Sequence, residues 1–305
     1  MCPDGEFGRC GVGLKAKVPT REKPVLAPRG HARRYTAAVP NIYFELTTAF
    51  NAKQPVVALA SGQAVVYYRV AIMSKDGDWV IRETPEACAT VLQELGERGA
   101  HYRPGAPLDV RWLSGGWSSH FEFPDDRQRR VRCDFLSRPP RVSRPAVNRM
   151  FDAATAGRGM IVVDLDSLIA MKQTQRAKDY PVIGELAMLL PPEREIELTT
   201  NPDRIIRLAA TSGRLSSRPV ARLAAAGADR HAVVLALAEE IDSLQQADRR
   251  RMARYESAAG PYLEECRLAG IAGLPLCEAH ARMVEMAGRL LPLSPIPGAA
   301  DADAQ

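Results

Sequence analysis

The apolar positions of this chain change period several times between residues 41 and 136. Ile42, Leu46 and Phe50 fall on one helical stripe over 41–51, and a continuous apolar run at 56–59 reads as a short strand. A turn of small residues, Ser61-Gly62, separates that strand from an amphipathic helix over 63–70. A second strand opens on Asp76 and Asp78 and continues to Ile81. In an extended chain alternate side chains share a face, so both carboxylates point one way while Trp79 and Ile81 point the other. Pro85 opens a helix that runs to about residue 98, and Gly99 stops it. Residues 108–113 alternate as a strand, and 120–123 pairs with 130–136 as a hairpin around Pro124-Asp125-Asp126. On the last strand Asp134 shares a face with Arg132 and Leu136, opposite Val131, Cys133 and Phe135.

After a proline- and arginine-rich connector at 137–145, residues 161–163 give one more short apolar segment. Residues 164–190 then read as helix, break at Pro181, helix. On such a helix Lys172, Arg176 and Asp179 fall at i, i+4 and i+7, on one face. From Asn201 the pattern is helical to about 291. Asn201-Pro202 is a cap and first-position pair before a stripe of Ile205, Ile206 and Leu208. A longer helix spans 231–255 on a stripe of Val234, Leu237, Ile241 and Leu244, and no chemical motif stands out in this third of the chain. The expected fold class is therefore α+β: a mixed sheet of about four or five strands with flanking helices, then a helical C-terminal region. Its parts are a basic flexible tail (1–40), a core (41–145), a strand with helices completing the core (146–200), the helical region (201–291) and a loose tail (292–305).

Composition narrows the function classes. At 305 residues and 46% hydrophobic, the chain has ordinary globular usage. A net charge of +5 permits a nucleotide or nucleic-acid partner without requiring one. The six cysteines are scattered, and Cys266, Cys277 and His280 lack the paired knuckle of a zinc site, so free thiols are expected. No apolar run is long enough for a membrane span and the N-terminus lacks a signal-peptide core, so a cytoplasmic protein without membrane partners is expected.

The candidate chemistry lies in the carboxylates. Two oxyanions held side by side repel each other and are seldom placed so without a bridging cation. The turn at Ser61 and Gly62 opens a helix whose free N–H groups suit a phosphate. Asp134 adds a third carboxylate, with an ion pair to Arg132 or Arg130 as the ordinary alternative. Lys172 and Arg176 suit a triphosphate clamp or a solvated face, and Asp179 suits either that clamp or a helix cap.

Taken together, Ser61-Gly62-Gln63-Ala64, Lys75-Asp76-Gly77-Asp78 and Arg132-Cys133-Asp134 resemble the nucleotidyltransferase superfamily that shares the DNA polymerase beta palm fold. Ser61 replaces a glycine of that family's turn, and Gly77 stands where the family has an apolar residue. Residues 168–172 with Arg176-Ala177-Lys178-Asp179 further resemble the helical element of AbiEii-type bacterial toxin nucleotidyltransferases. The resemblance covers about 42–190. It implies Mg²⁺ bound by Asp76, Asp78 and Asp134 as catalytic residues, and nucleotide binding by Ser61, Gly62, Lys172, Arg176 and Asp179. The implied reaction moves a nucleoside monophosphate from a nucleoside triphosphate such as ATP to RNA (tRNA included), protein or a small molecule. A cognate antitoxin is the implied partner if the chain is a toxin. The readings set against it are an inactive nucleotide-binding sensor or antitoxin module of the same fold, and an RNA-binding protein acting through its basic segments.

Overall fold

The computed structural model describes residues 41–152, 159–211 and 216–295. The expected basic tail, 1–40, and most of the expected C-terminal tail, 296–305, lie outside these residues. Helix α1 (Ile42–Phe50) starts where the Asn41 side chain accepts from the Tyr43 N–H, and it buries Leu46 and Phe50. Strand β1 (Val57–Ala60) is buried at every position and runs straight into α2 (Ser61–Tyr67). Then come β2 (Gly77–Ile81), α3 (Pro85–Gly96) with Thr84 as its cap, β3 (His101–Tyr102), α4 (Val110–Leu113), β4 (Ser118–Pro124) and β5 (Arg130–Leu136).

The strands form one sheet in the order β1-β2-β5-β4-β3. The β2–β5 pair is parallel and the other neighbours are antiparallel, so the sheet is mixed. Beside β1, the Leu59 N–H bonds the Ile161 carbonyl (2.8 Å) and the Val163 N–H bonds the Leu59 carbonyl (3.0 Å). The apolar segment 161–163 thereby joins the outer edge of the sheet.

The alternation read from the sequence divides the two faces. Trp79 stacks on Phe135 with ring centroids 5.2 Å apart, and Phe50 from α1 meets both edge-on. That face carries the larger core, closed by α1, α3 and α12 (Leu276–Leu290). On the other face Ala58, Ala60 and Val80 are small enough to seat α2, α5 (Arg144–Asp152), α6 (Leu165–Lys172) and α7 (Asp179–Ala187). The C-terminal helical region adds α8 (Pro192–Leu198), α9 (Pro202–Ala209, capped by Asn201), α10 (Pro219–Ala225) and α11 (Arg230–Leu268). The class is α+β, as expected.

Several expected elements are corrected. Residues 108–113 do not form a strand. The Asp109 carboxylate caps the Arg111 N–H at 2.9 Å and folds 110–113 into a helical turn, while the Trp112 indole reaches the Leu291 carbonyl. The helix expected at 63–70 begins at Ser61 and ends at Tyr67. The break expected at Pro181 falls earlier, at 173–178, and Pro181 sits in the first turn of α7, where its missing N–H costs nothing. The long helix continues past Tyr255 and through Pro261 to Leu268. Burial of Ala259, Tyr262 and Cys266 in the larger core outweighs the roughly 3 kcal/mol that an interior proline costs. Its inward stripe passes through Val233 rather than Val234. The start of the expected loose tail is fastened, since the Trp117 indole donates to the Pro292 carbonyl (2.9 Å). No described helix is long and apolar enough to cross a membrane.

Candidate active site

Where β1 meets α2, Ser61 takes a left-handed backbone with φ 47°, a conformation that costs a residue with a side chain on the order of 1–3 kcal/mol. The pairing of Ala60 with Asp78 across the strands holds it there, and its hydroxyl sits beside the Asp78 carboxyl and lowers its pKa. The first-turn N–H groups of α2 have no carbonyl one turn back to bond, as at any helix start. At Gly62 an added Cβ would lie 2.2 Å from the Ser74 hydroxyl oxygen and 2.9 Å from its Cβ. Gly62→Ala is expected to destabilise the fold by about 1–3 kcal/mol in urea unfolding. Adding Ser74→Gly is expected to remove most of that loss, and an unrelieved double variant would show that the clash is not the cause.

Asp76 arrives on a pinned loop. The buried Gln63 amide accepts from Asn41 (3.1 Å) and donates to the Ser74 carbonyl (2.9 Å), and the Tyr43 hydroxyl donates to the Lys75 carbonyl. The strand itself begins at Gly77, one residue later than expected, so Asp76 lies just outside it with its side chain 43% exposed. Gly77 faces the aromatic side of the sheet. A Cβ there would strike the rings of Trp79 and Tyr43, both at 2.4 Å, so glycine is required by packing on the aromatic face.

Asp78 and Asp134 are register partners on the two parallel strands, whose backbones run about 4.8 Å apart, which places both side chains on one face. Protein encloses the Asp78 carboxyl group although the residue keeps a partial opening to solvent. Burial first, and then the charge of Asp134, push its pKa up to about 6 against the pull of Ser61 and Lys172. Asp134 accepts from Arg103 Nη1 (3.0 Å) and lies 2.9 Å from His120 Nδ1, off the line of a hydrogen bond. His120 is its register partner on β4. Arg132 is therefore not the partner of Asp134; its guanidinium faces Asp76 (3.6 Å) and Glu122 (3.8 Å).

Lys172, Arg176 and Asp179 do not share a helical face, because α6 ends at Lys172 and α7 starts at Asp179. The turn between them gathers all three regardless. Buried Asp179 lies 3.5 Å from Lys172 Nζ and accepts from Thr174 Oγ1 (2.9 Å) and Arg176 Nε (2.8 Å). Burial pulls the Lys172 pKa down, while the charges of Asp179 and Asp78 raise it. Asp179 thus stands behind the lysine and fixes it, and Arg176 lies at the rim with a half-exposed side chain. From α11, buried Asp248 accepts from the Gln175 N–H (2.9 Å) and from Arg251 (3.0 Å), which clamps that turn.

Ser61, Asp78, Asp134 and Lys172 are therefore brought into one cluster, with Asp76 beside it and Arg176 and Asp179 supporting its far side. Arg103 and Asp248, which nothing in the sequence singles out, belong to it too, as does His120, which its place after the Gly115-Gly116 turn offers either for an acceptor side or for ordinary packing. Among the described residues no three His, Cys, Asp or Glu side chains converge as a ready metal cage.

No family model and no curated protein matches the chain. Two solved structures from Helicobacter pylori are similar to it. One, provisionally designated a nucleotidyltransferase, is 12% identical with a TM-score of 0.33, covering 68% of this chain and 94% of that one. The other, JHP933, is 12% identical with a TM-score of 0.35, covering 71% and 94%.

Proposed function

We propose that this chain transfers a nucleoside monophosphate from a nucleoside triphosphate to a hydroxyl acceptor. The observation that carries the reading is the register pairing of Asp78 with Asp134, whose charge adds to the cost of ionising Asp78, within reach of Lys172. Such a pair favours a cation. The donors are hard oxygens and few in number, which suits Mg²⁺ with phosphate oxygens filling the rest of its shell. Asp78 and Asp134 would hold it, with Asp76 on the loop beside them, and the ion would supply charge neutralisation on the transferring phosphoryl group.

The remaining groups act by position. The first turn of α2 offers N–H groups to the triphosphate, and Ser61 orients Asp78. Lys172 offsets the charge that grows on the leaving pyrophosphate. Asp134 orients the acceptor hydroxyl. The acceptor oxygen forms its bond to the α-phosphorus, the bond to pyrophosphate breaks with its electron pair leaving on pyrophosphate, and the hydroxyl's proton passes to the Asp134 carboxylate.

The test uses each α-³²P nucleoside triphosphate with Mg²⁺ and total RNA, lysate protein or small metabolites as acceptor. Label is expected in one acceptor class with wild type and in none with Asp76→Asn. Transfer by that variant at the wild-type rate, or triphosphate binding without any product, would overturn the reading. If tRNA takes the label, arrest of growth on expression would extend the activity to a toxin role with an antitoxin partner.

A further inference from the structure

The two halves of the carboxylate face differ. Helices seat on Ala58, Ala60 and Val80 of β1 and β2, whereas the β3–β4–β5 half carries charged side chains. Arg132 and Arg130 stand two and four residues before Asp134 on β5, so strand alternation turns both to its face. Glu122 is the register partner of Arg132 on β4, and His101 that of Glu122 on β3. Four cationic or basic groups converge on the Glu122 carboxylate: His101 Nε2 at 3.5 Å, Arg103 Nε at 3.7 Å, Arg132 Nε at 3.8 Å and Arg130 Nε at 4.0 Å. At these distances none is a hydrogen bond. Arg103 is fixed elsewhere, by Asp134 (3.0 Å). Arg132 is not fixed: its Nε is buried without a hydrogen-bond partner and its Nη1 stands 3.6 Å from Asp76. Arg130 has a 62% exposed side chain.

We propose that Arg130 and Arg132 bind a phosphate group of the acceptor, resting on the transferase reading, so that the acceptor is itself a nucleotide or an RNA strand. The first reason is charge. The transferase reading gives Asp78 and Asp134 to the cation and the acceptor hydroxyl, with Asp76 beside them. Three guanidinium groups then have Glu122 as the carboxylate left to answer them. The second reason is geometry. A guanidinium presents its N–H groups as a planar fork that matches two oxygens of a phosphate, and contacts of 3.6–4.0 Å leave the forks of Arg130 and Arg132 open. The third is position. Same-face neighbours on a strand are about 7 Å apart, so Arg132 lies from Asp134 at a separation comparable with that of a hydroxyl and a phosphate on one nucleotide unit. The donor's phosphates belong on the other side of the carboxylates, where Ser61 and Gly62 follow β1.

The experiment reads fluorescence anisotropy as full-length protein is titrated into a labelled single-stranded RNA, a labelled nucleoside monophosphate, the corresponding nucleoside and a labelled polyglutamate peptide, with Mg²⁺ and without triphosphate. The RNA or the monophosphate is expected to bind, and the nucleoside and the peptide to bind at least about tenfold more weakly. Arg130→Gln combined with Arg132→Gln is expected to weaken binding at least about tenfold. Glu122→Gln removes the carboxylate that those arginines share and is expected to tighten binding severalfold. A gain of that kind does not come from a damaged fold. Monophosphate bound as tightly as RNA would assign a free nucleotide as acceptor, and tight binding of the RNA alone would assign a strand. Neither phosphate probe bound, affinity unchanged in the arginine variant, no gain with Glu122→Gln, or the peptide held as tightly as RNA would each overturn the phosphate site. Arginine-dependent binding with no label transferred from any triphosphate would instead refute the transferase reading alone.

Discussion

Asp78→Asn is expected to abolish nucleotide transfer and, at the same time, to raise the thermal stability of the metal-free protein at pH 7. Activity should fall by roughly 10²–10³-fold or more, as for removal of a group that stabilises charge in the transition state. The stability gain has a separate origin. Burial and the charge of Asp134 lift the Asp78 pKa from 3.8 to about 6, so the folded state resists ionising it. Above pH 6 the carboxyl is ionised in both states and the fold carries the whole penalty, on the order of 3 kcal/mol. As the pH falls from about 6 toward 4 the folded protein takes up a proton before the unfolded chain does, and the penalty disappears. The variant should therefore melt roughly 6–12 °C above wild type at pH 7, with the gap closing toward pH 4. Thermal melts from pH 4 to 8 in a chelator check this. A variant that melts at or below the wild-type temperature at pH 7 would show that Asp78 is not held at a cost.

Asp179→Ala is expected to be the most damaging single change for stability, at about 3–5 kcal/mol. Lys172 is 5% exposed, and its buried ammonium has Asp179 as its nearest counter-charge, with Asp78 further along. Removing the carboxylate strands that ammonium and also releases Thr174 and Arg176, which close the 173–178 turn. Adding Lys172→Met removes the stranded charge, so the double variant should recover a large part of the loss while remaining inactive. Urea unfolding of the four proteins in the cycle measures the coupling. A single-variant loss under about 1 kcal/mol, or a double variant no better than Asp179→Ala, would contradict the role given to the pair.

Period-two alternation in 76–81 and 130–136 placed Asp78 and Asp134 on the face opposite Trp79 and Phe135, because a strand buried on one face leaves its register no freedom. The hairpin at Asp125-Asp126 and the helix stop at Gly99 were legible for the same reason: their signals are local. The rest depended on distant partners. Residues 108–113 alternate as well as any strand, and it is the Asp109 cap together with the Trp112 contact to Leu291 that folds them into a helical turn. The long helix, expected to end at 255, runs on through Pro261 because Tyr262 and Cys266 beyond it are buried in the larger core. His120 reaches Asp134 by strand pairing and Arg103 by its place beside β3, neither of which spacing along the chain reveals. Asp248 looks like one more charge on a solvated helix. Its function as a clamp emerges when the helix lies against the Gln175 amide.

The margins of the sheet limit how another protein could engage this molecule. Along β1 the outward backbone groups of Leu59 are already taken by Ile161 and Val163, and at the other margin β3 is only two residues long. An open strand edge is the template on which a foreign peptide adds itself to a sheet, and here neither margin provides one. A binding protein that silences this chain would therefore have to grip helical surface.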